Sequence, residues 1–166
     1  MSVCLIAAVS KNGVIGNEFN EMPWAPLIED LKNFREATTG NIIVMGARTY
    51  ESIGSKPLPN RENVVFTRRI KEEYDTKGVK FFSNEVDFLN AYNLEYDDIY
   101  IIGGSHLFKM FINIADTMLL TEIDKEYVGN IKFPDIENKE WDRAVIGKGT
   151  QEDVSYNFVE YNRKVL

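Results

Sequence analysis

Residues 100–108 read YIIGGSHLF. An apolar run stops at a glycine pair, and Leu107, Phe108 and Phe111 then fall where one helix face collects them. From Ile99 to Ile102 polar and apolar residues do not alternate, which is the pattern of a strand covered on both faces. A second stretch, IVMGART at 43–49, repeats the order of strand, glycine and helix start. Glycine at such a turn lets backbone come close to a ligand, and the helix start behind it offers unpaired N–H groups to an anion. Taken singly, each is a weak signal, because a glycine at a strand–helix turn is more often just a turn. Neither is GxGxxG or a Walker A sequence. Two of them in one parallel sheet are placed to hold the two phosphates of a dinucleotide.

Working outward, the same alternation continues. Runs at 2–9 (SVCLIAAV), 41–45 (NIIVM), 63–67 (NVVFT), 79–82 and 117–123 (TMLLTEI) read as further strands, with two more at 143–146 and 156–165. Helices are expected over 26–38, opened by Pro26 in its first turn, and over 47–53. A third follows Ser83 as cap and carries Val86, Leu89 and Tyr92, and the last follows Gly104. Lys11-Asn12-Gly13 breaks the first strand and opens a polar loop running to Met22-Pro23-Trp24, which has the character of a lid. The expected fold is a single α/β domain over residues 1–166. It has a central, mostly parallel eight-stranded sheet, an antiparallel C-terminal strand and helices on both faces. Ligands then belong at the carboxyl ends of the strands.

The helix at 26–38 holds the candidate chemical centre. Leu27, Leu31 and Phe34 share one face, and Asp30 projects from that same apolar stripe. An acid early in a helix ordinarily complements the helix dipole, and Glu29 fits that reading. A carboxylate among Leu and Phe needs a partner or a shifted pKa, so Asp30 fits it less well.

Composition narrows the classes. A net charge of −7 argues against nucleic acid as a partner. Between Arg48 and Arg69, however, five bases (Arg48, Lys56, Arg61, Arg68, Arg69) face two acids (Glu51, Glu62). That island is either a solvated face or a site for a small anionic ligand. Arg68 and Arg69 follow NVVFT, where an acid would favour an unphosphorylated ribose and bases favour a 2′-phosphate, hence NADPH. The single histidine, His106, excludes a multi-histidine metal site, and with Cys4 the single cysteine no pair offers zinc spacing. No apolar run approaches the ~20 residues of a membrane span, and no signal-peptide layout is visible. A cytoplasmic monomer is expected.

These residues together resemble dihydrofolate reductase over nearly the whole chain. The matching stretches are LIAAVSKNGVIG (5–16), MPW (22–24), EDLKNFR (29–35), IVMGARTYESIG (43–54), PLPNR (57–61), IIGGSHLF (101–108), LLTEID (119–124) and FPD (133–135). The resemblance implies NADPH-dependent reduction of 7,8-dihydrofolate, with antifolate inhibitors as further ligands. It implies that Asp30 pairs with N3 and the 2-amino group of the pterin, with Thr121 hydrogen-bonded behind it. Ile6, Ala8, Leu31, Phe34, Ile53, Leu58 and Ile102 become apolar walls, and Arg61 takes the α-carboxylate of the glutamate tail. Met22 closes over the nicotinamide. On the cofactor side the resemblance places Ala8, Ile15, Gly46, Ala47, Arg48 and Thr49, then Thr67 and Arg68. Gly103, Gly104, Ser105, His106, Leu107 and Phe108 complete that side, with a cis peptide between the two glycines.

Three departures from the family pattern matter. Ala47 stands where a base is common, leaving Arg48 and Arg68 to distinguish NADPH from NADH. Tyr50 replaces a common tryptophan, with an expected change near the carboxylate, and Gly129-Asn130-Ile131 replaces Gly-Asp-Thr opposite the lid. A reductase of another pyrimidine or pterin would not be expected to need both Asp30 on that helix and PLPNR. A non-catalytic module would show an eroded site, and a plain Rossmann dehydrogenase would carry GxGxxG.

Overall fold

The computed structural model describes residues 2–165. In chain order the elements are β1 (Ser2–Ser10), β2 (Val14–Gly16), α1 (Ile28–Thr38), β3 (Ile42–Gly46), α2 (Ala47–Ser52), β4 (Glu62–Phe66) and β5 (Val79–Phe82). There follow α3 (Glu85–Ala91), β6 (Asp98–Gly103), α4 (Ser105–Phe111), β7 (Thr117–Ile123), β8 (Ile131–Lys132), β9 (Trp141–Gln151) and β10 (Val154–Arg163). The main sheet has eight strands in the order β5-β4-β3-β6-β1-β7-β10-β9. All neighbours from β5 to β7 run parallel, and β10 and β9 are antiparallel.

The unalternating apolar runs are explained by cover on both faces. Along β3, Val44 packs with Phe88 of α3 and Phe108 and Phe111 of α4 in one core. Its neighbours Ile43 and Met45 pack with Tyr50 of α2 and with Tyr74 in the opposite core. On the first face Phe66, Phe82, Phe88 and Phe111 meet edge to face, with centroids 5.4 to 6.0 Å apart.

Several expectations are corrected. The first helix starts at Ile28, not at Pro26, because Leu27 is extended (φ −89°, ψ 108°) and serves as N-cap. Asn84, not Ser83, caps α3, accepting the N–H of Asp87. Val86 points to solvent, and Phe88 is the buried residue of that helix. β9 is longer than the expected 143–146, β10 keeps the expected length but starts two residues earlier, at Val154, and the two close a hairpin whose outer member, β9, is the sheet edge. Tyr50 lies in the core with its hydroxyl 2.5 Å from the Asp75 carbonyl, so it does not bear on Asp30. A small second sheet, β2 with β8, had no signal in so short a stretch.

Arg163, at the end of β10, ties the last strand to the segment that follows α4. Its Nε donates to the Ala115 carbonyl at 2.8 Å and its Nη2 to the Ile112 carbonyl at 2.6 Å. The guanidinium also lies 4.4 Å from the Trp141 ring centre. Arg163→Ala is expected to lower unfolding free energy by about 2–3 kcal/mol, since two carbonyls lose a charged donor and a stacked contact goes. Urea unfolding followed by tryptophan fluorescence checks it; a loss below about 0.5 kcal/mol would show that the latch carries little.

Candidate active site

The cleft follows from strand order. β1 lies between β6 and β7, and β3 lies beyond β6, so four parallel strands end along one rim. β3 and β6 pair Met45 with Gly103, which brings the two strand–glycine–helix turns together. A Cβ on Gly46 would stand 3.9 Å from both the Gly103 carbonyl oxygen and the Gly104 nitrogen. Gly103 has φ +132°, and a Cβ there would press on Thr49 Oγ1 at 3.3 Å. The Gly103–Gly104 peptide is cis, as the resemblance implied. The resulting cleft holds about 1350 Å³ and runs from the lid and α1 across the glycine turns to the end of β4.

Every residue that the resemblance placed at the site lines this one cleft, from Ile6, Ala8, Ile15 and Met22 through Asp30 and Thr121 to Arg48, Arg61, Arg68 and the 102–108 turn, whereas Lys56 and Arg69 of the basic island do not line it. Leu107 and Phe108 do so while their side chains are buried in the core, so what they offer is mostly backbone. Leu31 is nearly half exposed (46%), because the apolar stripe of α1 faces the cleft rather than a packed core. Met22 is likewise half exposed (48%) at the mouth.

Asp30 is the third residue of α1, and Thr121 of β7 donates to its Oδ1 at 2.5 Å. Burial pushes the Asp30 carboxyl above its ordinary 3.8, and the Thr121 hydrogen bond pulls the other way without cancelling it. Thr121 is itself buried at 6% exposure, so the pair is held rigidly. Cys4 is no rival for the chemistry: burial pushes its thiol up to about 12.

The PLPNR turn is built by a residue the sequence reading passed over. Asn63, 1% exposed, accepts from the Leu58 N–H at 2.9 Å and donates to the carbonyls of Leu58 and Arg61 at 2.9 and 3.0 Å. The signal was a polar residue inside an apolar strand. Arg61 then donates through Nε to the Pro59 carbonyl at 3.0 Å and through Nη1 to Thr38 Oγ1 at 3.1 Å. Burial, and after it the charge of Arg35, lowers its pKa. Among the described residues no acid pairs with Arg61 or Arg35, so this end of the cleft is positively charged.

At the other end Arg48 and Arg68 are exposed cations, and no acid pairs with either among the described residues. Thr67 accepts from the Arg69 N–H and donates to the Arg69 carbonyl, fixing the turn after β4. This donor set, with the open glycine cradle, fits a phosphorylated dinucleotide. His106 is exposed at the first turn of α4. The lid is tied at its stem. Asn12 accepts from the Tyr127 N–H at 3.1 Å and donates to the Tyr127 carbonyl at 2.8 Å. Gly129 packs so closely that a Cβ would stand 2.6 Å from the Gly16 carbonyl oxygen.

The family model described as dihydrofolate reductase matches residues 2–163. The chain belongs to the dihydrofolate reductase family. A dihydrofolate reductase of Haemophilus influenzae is 40% identical over 142 residues, 86% of this chain and 84% of its own. One from Bacillus subtilis is 33% identical over 165 residues, 98% and 95% of the two chains. A solved structure of dihydrofolate reductase from Enterococcus faecalis, complexed with NADP(H) and RAB-propyl, superposes with a TM-score of 0.85 at 32% identity, covering 99% of this chain and 97% of that one. Among the described residues no helix is long and apolar enough to cross a membrane, and no cluster of His, Cys, Asp or Glu could hold a metal ion.

Because the folded protein favours protonated Asp30, this residue's contribution to stability is fully present below its unfolded pKa and is lost as pH rises through the raised folded value. Asp30→Asn, which keeps the shape and an acceptor for Thr121, is therefore expected to leave stability unchanged in strong acid and to raise it increasingly above pH 3.8. The gain levels off above the folded pKa. Urea midpoints across pH test this, and a variant no more stable than the parent at pH 8 would contradict the burial argument.

Proposed function

We propose that this protein is a dihydrofolate reductase, reducing 7,8-dihydrofolate to 5,6,7,8-tetrahydrofolate with NADPH for one-carbon and thymidylate metabolism. The observation that carries the reading is one carboxylate, Asp30, held against Thr121 in the same cleft as the paired glycine turns. Two carboxylate oxygens match the N–C–N edge formed by N3 and the 2-amino group of a pterin. Antifolate inhibitors with such an edge would compete for the same group. Ile6, Leu31, Phe34, Ile53, Leu58 and Ile102 supply apolar walls for the pterin and benzoyl rings. Arg61 takes the α-carboxylate of the tail, with Arg35 adding positive charge.

On the cofactor side Gly46, Ala47, Thr49, Gly103, Gly104 and Ser105 would cradle the pyrophosphate, with backbone of His106, Leu107 and Phe108 behind them. Arg48, Thr67 and Arg68 would meet the 2′-phosphate, and Ala8 and Ile15 the nicotinamide. When bound, NADPH would supply the hydride that reduces C6 of the substrate. The protein contributes alignment and field. Asp30 fixes the pterin in register, and its negative charge raises the basicity of N5. Water delivers the proton to N5, while Met22 and the lid keep bulk solvent from the reacting carbons. Thr121 holds the carboxylate in one orientation. The cytoplasm is the proposed location, supported by a lone, buried cysteine.

The test is loss of NADPH absorbance on adding 7,8-dihydrofolate, with NADH as the control. Rapid oxidation that prefers NADPH is expected. Asp30→Asn should cut turnover by at least about a hundredfold near neutral pH, and by less in acid, where the substrate arrives protonated. A folded protein that binds NADPH and leaves it unoxidised would overturn the reading. Arg61→Leu should weaken dihydrofolate binding by about tenfold or more and leave NADPH affinity within about twofold. Equal losses for both ligands would count against the assignment of Arg61.

A further inference from the structure

The helix that carries Asp30 begins badly on its own account. Its N-cap is Leu27, whose side chain has no oxygen to offer the free N–H groups of the first turn. Pro26 stands before it and does not enter the helix. The missing cap comes from the far end of the chain. Gln151 Oε1 accepts the Ile28 N–H at 2.9 Å, and Gln151 Nε2 donates to the Pro26 carbonyl at 2.8 Å. One primary amide thus grips backbone on both sides of Leu27.

Gln151 is itself held firmly. It is the last residue of β9 and pairs with Val154, the first of β10, across the turn Glu152-Asp153, where Glu152 has φ +57°. Behind it Tyr156 lies over Gly149 so closely that a Cβ on the glycine would stand 2.5 Å from the ring. Tyr156 packs in one cluster with Trp24, Leu27 and Ile123, and Val154 joins from the side. Phe158 pairs in register with Thr121 and lines the cleft. The same hairpin therefore supports both partners of the part-buried Thr121–Asp30 hydrogen bond, Thr121 from its strand and Asp30 through the helix start.

We propose that Gln151 is a positioning residue for the reaction: its amide caps α1 from the β9–β10 hairpin and so sets the place of Asp30 relative to Thr121 and the pterin. Asp30 follows Ile28 by two residues, a rise of only about 3 Å along the helix. Any loosening of the first turn moves the carboxylate directly. The glycine turns that face the phosphates of the cofactor belong to β3, β6, α2 and α4, none of which carries a residue of this clamp, while Ala8, at the nicotinamide end, packs against the cluster of Leu27 and Tyr156. The inference rests on the reductase reading given above.

Gln151→Met fills nearly the same space without either hydrogen bond, and Gln151→Glu keeps the acceptor for Ile28. For Gln151→Met, kcat/KM for 7,8-dihydrofolate is expected to fall about tenfold, while Kd for NADPH, read from quenching of tryptophan fluorescence, stays within about twofold. Gln151→Glu is expected to retain activity within about threefold of the parent. A purely structural role would lower thermal stability and leave kcat/KM and both affinities of the folded fraction alone, which overturns the proposal. Parallel losses for both ligands, or a Glu variant as poor as the Met variant, overturn it as well. If the parent protein turns over and Gln151→Met keeps pace, the clamp fails by itself; if the parent leaves dihydrofolate unreduced, the reductase reading fails beneath it.

Discussion

Parallel pairing of β3, β6, β1 and β7 is the constraint on which the site depends. Parallel neighbours cannot be joined by tight turns, so each strand must leave the sheet through a crossover before the next begins. Their carboxyl ends therefore lie along one rim, and β3 and β6 end there in glycine. Two backbone turns without side chains stand together, and no hairpin geometry would bring them so close. The antiparallel pair β9 and β10 extends this sheet past β7 and provides a wall that the parallel part lacks.

Asp30 shows how the fold accepts a local cost for function. Burial disfavours its charged form, and the hydrogen bond from Thr121 offsets that only in part. An apolar residue of similar size would suit the folded chain better. On the proposed reading, the carboxylate would give selectivity for a ligand edge that donates two hydrogen bonds, since a site that leaves a buried charge unpaired rejects ligands lacking them. Arg61 and Arg35 repeat the logic with opposite sign, as cations brought near each other with no acid paired to either among the described residues.

The elements carrying these groups are secured by contacts far apart in sequence. Asn63 shapes the turn that presents Arg61, Asn12 ties the lid stem to Tyr127, and Gln151 closes the start of α1. Each is a side-chain amide bonded to backbone, which supplies a donor and an acceptor from one planar group. Such amides substitute for strand pairing where the chain runs irregularly. Rigidity at the cleft thus comes from a few polar clamps as well as from the apolar cores.

Much of this was legible in the sequence. Unalternating apolar runs ending in glycine specified a covered parallel sheet, and the spacing of Leu27, Asp30, Leu31 and Phe34 put the carboxylate on an apolar face. These are periodicities and turn chemistries of neighbouring residues, which a linear text preserves. Where α1 begins was not legible, because its cap arrives from Gln151 rather than from Pro26. The direction of the Asp30 pKa shift was equally out of reach, since burial and helix position oppose each other until packing sets their sizes. The place of Tyr50, the β2–β8 pair and the roles of Asn12 and Asn63 likewise waited on the fold. Local chemistry and the family resemblance named residues that the fold gathers in one cleft; long-range contacts decided how they are held, because a hydrogen bond across more than a hundred residues leaves no periodic trace in the chain.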